Sequence, residues 1–278
     1  MIRQELTIPV GGGSMPAFLA RPEDGSGAHP AVIVLQEIFG LNQEIRRITE
    51  LLPSIGYVGL AINFYHRTHP NLSEQYNDEG MLRGREAATQ ATRESVLADV
   101  AAAAEWLTAQ DFVKDGKVAT WGFCFGGTVA YLSATLEGIC GGIAFYGTGI
   151  TREWGAAQQE ALSAARDLRS PVLMVFGGED QATPREQIER LDRTLRETGA
   201  DYQIQIYPSV GHAFFRHGSP QAVKSGASTS DEASAEAVAD AWGLVQAFLR
   251  RCFHQATPSR LPGGILYYKP TARAGIVH

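Results

Sequence analysis

The residues with the clearest potential for chemistry are Gly-Phe-Cys-Phe-Gly-Gly at positions 122–127. This pattern predicts a nucleophile elbow, a tight strand-to-helix turn that raises one side chain above a sheet, with Cys124 where most such turns carry serine. Gly122 and Gly126 have a steric role in this prediction, because a Cβ at either position would crowd the neighbouring backbone. The same residues could form a turn around a merely buried cysteine, so the interpretation depends on a base and an acid elsewhere in the chain.

A base is required because cysteine attacks an acyl carbon as a thiolate, and a free thiol with a pKa of about 8.5 is mostly protonated at neutral pH. His212 is the candidate, since it follows a predicted strand at 202–207, where the base of such a site is found. His217 is the nearest alternative, deeper in the same polar loop. The spacing of these two histidines matches no common metal-ligand pattern, so no metal site is predicted.

The acid that orients the histidine should lie directly after the preceding strand. Asp180 fits this role, because it ends the sequence Gly-Gly-Glu-Asp at 177–180 directly after a predicted strand. Glu179 is the local alternative, and a solvated carboxylate in a turn is the non-functional one. With Asp180, the chain order is nucleophile, acid and histidine, which is the order found with nucleophile elbows.

Such a site also needs two backbone N–H groups that stabilise an oxyanion, one from the residue after the nucleophile and one from a loop after an early strand. Phe125 would supply the first, and Ile38, within Gln-Glu-Ile-Phe-Gly at 36–40, would supply the second. Glu37 is the unusual member of that loop. Its carboxylate could hold the thiol neutral or take its proton, or it could be an ordinary surface glutamate.

The elements that must position these residues alternate between strands and helices, which predicts an α/β fold with a mostly parallel sheet and a ligand site at the carboxyl ends of its strands. Segment 66–84 has no clear period and is predicted to be a lid or a substrate-facing segment. Strands are predicted at 4–8 and 16–20, which form a hairpin, and at 31–35, 57–63, 117–122, 142–146, 171–176 and 202–207. Helices are predicted from an N-cap at Asn42 through Leu52 and at 94–107, 128–137, 156–168, 184–197 and 232–253.

Composition sets the class of protein. The 278 residues, 44% of them hydrophobic, suffice for one catalytic domain, which we place at 1–253 with an extension at 254–278 that could cover a sheet edge, reach a second subunit or pack loosely. A net charge of -6 and a pI near 5.7 argue against a nucleic-acid partner. Three cysteines without paired spacing, no recognisable targeting sequence and no apolar run of about 20 residues favour a cytoplasmic protein that does not span a membrane.

Three motifs together resemble the dienelactone hydrolase family, also called carboxymethylenebutenolidase. They are Glu-Ile-Phe-Gly at 37–40, the cysteine turn at 122–127 and Gly-His-Ala-Phe at 211–214, and the resemblance spans about residues 2–249. The resemblance implies the α/β-hydrolase fold, with a mostly parallel central sheet and helices on both of its faces. It also implies hydrolysis without a cofactor or a metal.

By this resemblance Cys124 is the nucleophile, His212 its base and Asp180 the orienting acid. Glu37 would exchange protons with Cys124 as the substrate arrives, and its displacement by substrate would keep the thiol quiet until a lactone is bound. This restraint would also protect the thiol from oxidation. The implied reaction opens a small lactone, or cleaves a small ester, through an acyl-thioester on Cys124.

The substrate contacts of the family are only partly present. Arg216 matches the family arginine that binds a substrate carboxylate. Ala213 replaces a serine, and Phe-Tyr-Gly at 145–147, which places Tyr146 near the pocket, replaces Tyr-Tyr-Gly. A second family arginine should follow the fourth strand, where three candidates compete: Arg83, Arg85 and Arg93.

The expected partner is therefore a small lactone or ester, and assembly as a homodimer stays open. A broad-specificity carboxylesterase is the main alternative, because the departures at Ala213 and Phe145 remove two polar groups. A non-catalytic α/β-hydrolase scaffold is the third interpretation. It is disfavoured, because such scaffolds usually lose a member of the triad and this chain has all three.

Overall fold

A nine-stranded sheet forms the centre of the computed structural model, which describes residues 1–11, 13–23, 27–216, 232–254 and 260–269. Its order is β1-β2-β4-β3-β5-β6-β7-β8-β9, and every pairing is parallel except β1 with β2 and β2 with β4. The strands are β1 (Ile2–Val10), β2 (Gly13–Arg21), β3 (His29–Leu35), β4 (Val58–Ile62), β5 (Val113–Phe123), β6 (Ile139–Phe145), β7 (Val172–Gly177), β8 (Tyr202–Tyr207) and β9 (Ile265–Tyr267).

Helices cover both faces of this sheet, because its central strands are apolar on both sides. Val96 and Val129 belong to the apolar cluster on one face, whereas Ile45 and Val245 belong to the cluster on the other. The described helices are α1 (Gln43–Thr49), α2 (Asp78–Gln90), α3 (Arg93–Thr108), α4 (Phe125–Ser133), α5 (Arg185–Thr198) and α6 (Glu232–His254).

Most predicted elements are confirmed. The N-terminal hairpin pairs Ile2 with Arg21 through Val10 with Gly13, and the later predicted strands match β3 to β8 to within a few residues. The Asn42 side chain caps α1 by accepting a hydrogen bond from the Ile45 N–H, at 3.1 Å.

Two predicted helices are wrong in length or type. The helix from Asn42 ends at Thr49 rather than continuing through Leu52, because Pro53 has no N–H to donate to the Thr49 carbonyl, and a 3₁₀ helix, Leu52–Ile55, follows. The predicted helix at 156–168 is a turn followed by a 3₁₀ helix, Ala161–Asp167. Gln158 has a φ of 48° just before it, which a continuous α-helix does not accommodate.

The aperiodic segment at 66–84 contains the start of α2, which the sequence interpretation missed. The buried residues of this helix are small: Gly80, Gly84 and Ala87. The sequence therefore shows no stripe of large apolar side chains that would predict a helix here. The available signal was the cap, since Asn77 accepts a hydrogen bond from the Gly80 N–H at 2.8 Å. Within the described residues, no helix combines the length and apolar character that crossing a bilayer requires.

The C-terminal extension adds a strand to the sheet where it is described. Within 260–269, β9 pairs in parallel with the edge strand β8. Asp201 fastens this region, because its carboxylate accepts hydrogen bonds from the Leu261 N–H and from the Arg251 guanidinium, each at 2.7 Å. The described part of the extension therefore covers a sheet edge.

Candidate active site

Cys124 lies in the tight turn between β5 and α4. Its backbone has φ 52° and ψ -110°, a strained conformation for a residue with a side chain. The turn is fixed from both sides, because the Cys124 N–H donates to the Phe145 carbonyl at 3.0 Å and the Thr128 N–H donates to the Cys124 carbonyl at 3.2 Å. The surrounding structure thus holds the sulfur at the carboxyl end of the sheet.

The two glycines of the turn have the steric role that the sequence suggested. A Cβ on Gly122 would overlap the carbonyl of Gly126, and a Cβ on Gly126 would overlap the carbonyl of Leu35 at the end of β3. Both contacts are with backbone, which cannot move without shifting the sheet or the helix. Only glycine at these positions lets α4 begin immediately after the cysteine.

His212 and Asp180 lie in loops after neighbouring strands, β8 and β7. The His212 Nδ1 is 2.8 Å from the Asp180 Oδ2, and the Asp180 side chain is fully buried. The second carboxylate oxygen of Asp180 accepts a hydrogen bond from the Ala182 N–H at 2.8 Å. Asp180 is therefore fixed by the backbone of its own loop, and its free edge orients the imidazole. The alternative base, His217, lies outside the described residues.

The environment of His212 favours its charged form. Burial lowers the pKa of His212, but the negative charge of Cys124, hydrogen bonds to Asp180 and Cys124, and the charge of Asp180 outweigh burial and raise this pKa to about 10. An imidazole with such a pKa keeps the proton that it takes from a neighbouring thiol. The raised pKa of His212 therefore suits the imidazole to take a proton from a neighbouring thiol.

The backbone N–H groups of Ile38 and Phe125 are the predicted donors to an oxyanion beside the sulfur. Ile38 and Phe125 both line the cleft that contains Cys124. In the described part of the chain neither N–H has a backbone acceptor. Helix α2 packs closely against the backbone of Ile38, since a Cβ on Gly84 would lie 2.6 Å from the Ile38 carbonyl oxygen.

Glu37 and Arg216 form a buried pair at the mouth of the site. The Glu37 Oε2 lies 3.7 Å from the Arg216 Nη1, a loose ion pair, and only 3% of the Glu37 side chain is exposed. This Oε2 accepts no hydrogen bond within the described residues. The Arg216 guanidinium lies over the ring of Tyr76, 4.0 Å from its centroid. The Glu37 Oε2 is therefore an unused hydrogen-bond acceptor among the described residues.

Tyr146 lies behind the histidine rather than on the cleft wall. Its ring is fully buried, with its centroid 5.1 Å from that of His212. Its φ is 41°, and within the described residues its hydroxyl has no hydrogen-bond partner. In this structure the ring packs against the imidazole, and the predicted contact of Tyr146 with substrate stays a prediction.

The cleft beside Cys124 has a volume of about 470 Å³ and an asymmetric lining. Arg85 and Arg216 provide positive charge, whereas Met81, Phe39 and Trp154 provide apolar surface. The Trp154 ring packs edge-on against Phe125, with centroids 5.3 Å apart. Sequence reasoning missed Trp154, as well as Arg152 at the rim, because both lie in a loop without a motif.

The structure distinguishes the three candidates for the second arginine. Arg85 lines the cleft. Arg83 instead binds Glu74 at 2.6 Å and Glu79 at 2.5 Å on the outer side of α2. The Arg93 guanidinium donates to the Ser163 hydroxyl at 3.4 Å, away from the sulfur. Arg85 is therefore the one of the three that can reach a bound substrate.

Comparisons with known proteins show the family to which the chain is similar. A family model described as the dienelactone hydrolase family matches residues 15–253. A Synechocystis protein named as a candidate carboxymethylenebutenolidase is 32% identical over 241 residues, which cover 87% of this chain and 93% of that protein. A Salmonella typhimurium protein with the same name is 35% identical over 210 residues, covering 75% of this chain and 76% of that one. A crystal structure described as a candidate dienelactone hydrolase from Klebsiella pneumoniae has a TM-score of 0.75 and 29% identity, and it covers 90% of this chain and 98% of its own.

Proposed function

Because the chain belongs to the dienelactone hydrolase family, with the α/β-hydrolase fold that its motifs predicted, we propose that it hydrolyses a small lactone or ester through an acyl-thioester on Cys124. The chain is a carboxylic ester hydrolase by family. The observation that carries the proposal is the 2.8 Å contact of the His212 imidazole with the buried Asp180, in a cleft whose lining holds both His212 and Cys124.

The reaction begins when the Cys124 thiolate attacks the acyl carbon of the substrate. The carbonyl oxygen becomes an oxyanion, which the N–H groups of Phe125 and Ile38 stabilise. The imidazolium of His212 then gives its proton to the leaving oxygen as the carbon–oxygen bond breaks, which leaves an acyl-thioester. Neutral His212 removes a proton from water, the resulting hydroxide attacks the thioester, and the thiolate is released.

The charge of the cleft favours a substrate that carries a carboxylate. Arg85, Arg152 and Arg216 line the cleft against the carboxylates of Glu37 and Glu153, and guanidinium groups bind carboxylates through charge-assisted hydrogen bonds. A carboxylate on Arg216 would compete with Glu37 for its present partner. Substrate binding would thus loosen Glu37 and free it to exchange a proton with Cys124.

A broad carboxylesterase remains the second candidate, favoured by the apolar wall of Met81, Phe39 and Trp154. A panel of dienelactone, simple lactones and short p-nitrophenyl esters distinguishes the two. We expect the highest kcat/KM for the carboxylate-bearing lactone. Higher values for the neutral esters would favour the carboxylesterase, and no turnover of any member would contradict the proposed function.

Replacing Arg85 with glutamine should weaken binding of anionic substrates selectively. We expect KM for the carboxylate-bearing lactone to rise about fivefold to tenfold, since an exposed guanidinium is partly screened by solvent, and KM for a neutral ester to stay unchanged. Arg83→Gln is the matched control, because it removes the same charge from the same helix but outside the cleft. Equal effects of the two substitutions would contradict this role for Arg85.

Replacing Glu37 with glutamine should make the Cys124 thiol more reactive in the absence of substrate and should slow turnover. A carboxamide neither repels a nearby thiolate nor accepts its proton, so we expect iodoacetamide to label Cys124 at least about threefold faster while kcat falls about tenfold. Glu153→Gln, which removes a carboxylate elsewhere on the cleft, is the control. Labelling at the unchanged rate would show that Glu37 does not restrain the thiol.

A further inference from the structure

Cys140 and Cys252 lie together at the end of the sheet opposite the candidate active site. Cys140 is the second residue of β6, whose other end, Phe145, contacts Cys124. Cys252 lies in the last turn of α6. Both thiols are partly exposed and line a surface cavity of about 320 Å³. The proposed hydrolysis uses neither of them.

Cys252 packs against β6 beside Cys140, and both side chains line the same cavity. The Cys252 Sγ rests against the backbone of β6, only 2.6 Å from where a Cβ on Gly141 would stand. A side-chain hydrogen bond joins Cys252 to Cys140. That hydrogen bond, burial and the charge of Cys140 raise the pKa of Cys252, although Arg251 lowers it. The raised pKa disfavours the Cys252 thiolate, so we assign the first attack to Cys140.

The cavity around this pair is rich in positive charge. Lys117, Arg169 and Arg251 line it, against a single carboxylate from Asp201 among the residues that line it. Arg251 binds Asp201 at 2.7 Å, and Arg169 makes a long, exposed contact with Glu137 at 3.4 Å, so a smaller excess of positive charge remains, to which Lys117 contributes. A small anionic molecule that enters here is brought close to the Cys140 sulfur.

From these observations we propose that Cys140 and Cys252 form a reversible disulfide by exchange with an anionic disulfide of low molecular weight, of which glutathione disulfide is the probe. The Cys140 thiolate attacks one sulfur of glutathione disulfide, whose S–S bond breaks and releases one glutathione thiolate. Cys252 then gives up its proton, and its sulfur attacks the mixed disulfide on Cys140, releasing the second glutathione. Two protein thiols are oxidised, one disulfide is reduced to two thiols, and no other oxidant is needed.

The bond would fasten the C-terminal helix to the centre of the sheet. Because β6 and α6 are far apart in sequence, the cross-link would restrict the unfolded chain strongly. We expect the oxidised protein to have a Tm at least about 5 °C higher than the reduced protein. The cavity and the catalytic cleft lie at opposite ends of the strands, so this proposal stands independently of the proposed function.

The test uses Cys124→Ala, in which the pair supplies the chain's only thiols. After incubation with excess glutathione disulfide, we expect an intact mass lower by two hydrogen atoms, no retained glutathione, a Cys140–Cys252 peptide in the non-reduced digest and the higher Tm, all reversed by dithiothreitol. Unreacted thiols, a stable glutathione adduct or a disulfide between two chains would each overturn the proposal.

Two controls assign the individual steps. In Cys124→Ala with Cys252→Ser, the reaction should stop at glutathione on Cys140, with the far-UV spectrum showing that the variant is folded. Lys117→Gln combined with Arg169→Gln should slow exchange with glutathione disulfide about threefold or more, but not exchange with cystamine, a cationic disulfide. Equal effects on both reagents would overturn the assignment of an anionic partner.

Discussion

Replacing Cys124 with alanine is expected to reduce kcat/KM for every substrate by a factor of about 10⁴ or more. The methyl group offers no nucleophile, so only the oxyanion site and substrate binding remain to accelerate the reaction. Steady-state kinetics on the best substrate of the panel measures the loss. Alanine should fit the turn, since the strained backbone is fixed by hydrogen bonds of the main chain rather than by the thiol.

Cys140→Ala is the matched control, because it removes another partly exposed thiol at the far end of the same region of the sheet. It should keep nearly full activity. His217→Ala, at the alternative base, should also keep most of it. A Cys124→Ala protein that retains substantial turnover would show that the sulfur is not the nucleophile.

Replacing Asp180 with asparagine has the second-largest expected effect. The carboxamide keeps the size of the side chain but removes the charge that stabilises the imidazolium, and it lets the imidazole adopt the wrong tautomer. We expect kcat to fall by about 10³ to 10⁴, the range found when the acid of such a triad is neutralised. Glu179→Gln, which changes the neighbouring carboxylate that the sequence left as an alternative, should have little effect.

The pH profile gives an independent readout of the same substitution. In the native protein the pKa of His212 is raised to about 10, so the imidazolium that protonates the leaving oxygen is lost only as the pH rises through that region. Without the charge and the hydrogen bond of Asp180 this pKa falls. The alkaline limb of kcat/KM should therefore move to lower pH, and an unmoved limb would contradict the assigned role.

Much of the fold follows from local patterns in the sequence. The buried strands are predictable because apolar runs such as 31–35 are bounded by turns, and α3 because Val96, Val100, Ala103 and Leu107 form one buried face. Helix α2 was not predictable in this way, since glycine and alanine make up its buried face. Strand β9 was not predictable either, because its three residues form a strand only by pairing with β8.

Part of the candidate site could likewise be predicted from the sequence, and part could not. Cys124, Asp180 and His212 each follow a strand, and the carboxyl ends of parallel strands meet, so their proximity could be inferred from chain order. The sequence could not show which of Arg83 and Arg85 faces the cleft. Residues two positions apart point about 200° from each other around a helix, and the side of α2 that faces the cleft depends on how the helix packs. The place of Trp154 in the cleft could not be predicted, since it depends on the path of an irregular loop.

The proposed mechanism requires a covalent bond between the acyl group of the substrate and the sulfur of Cys124. Rapid-quench mass spectrometry during turnover of a p-nitrophenyl ester measures that bond, and His212→Ala should prolong its lifetime by slowing deacylation. We predict an acyl adduct that maps to the peptide containing Cys124 and disappears with hydroxylamine. Turnover without any adduct, or an adduct on another residue, would contradict the account.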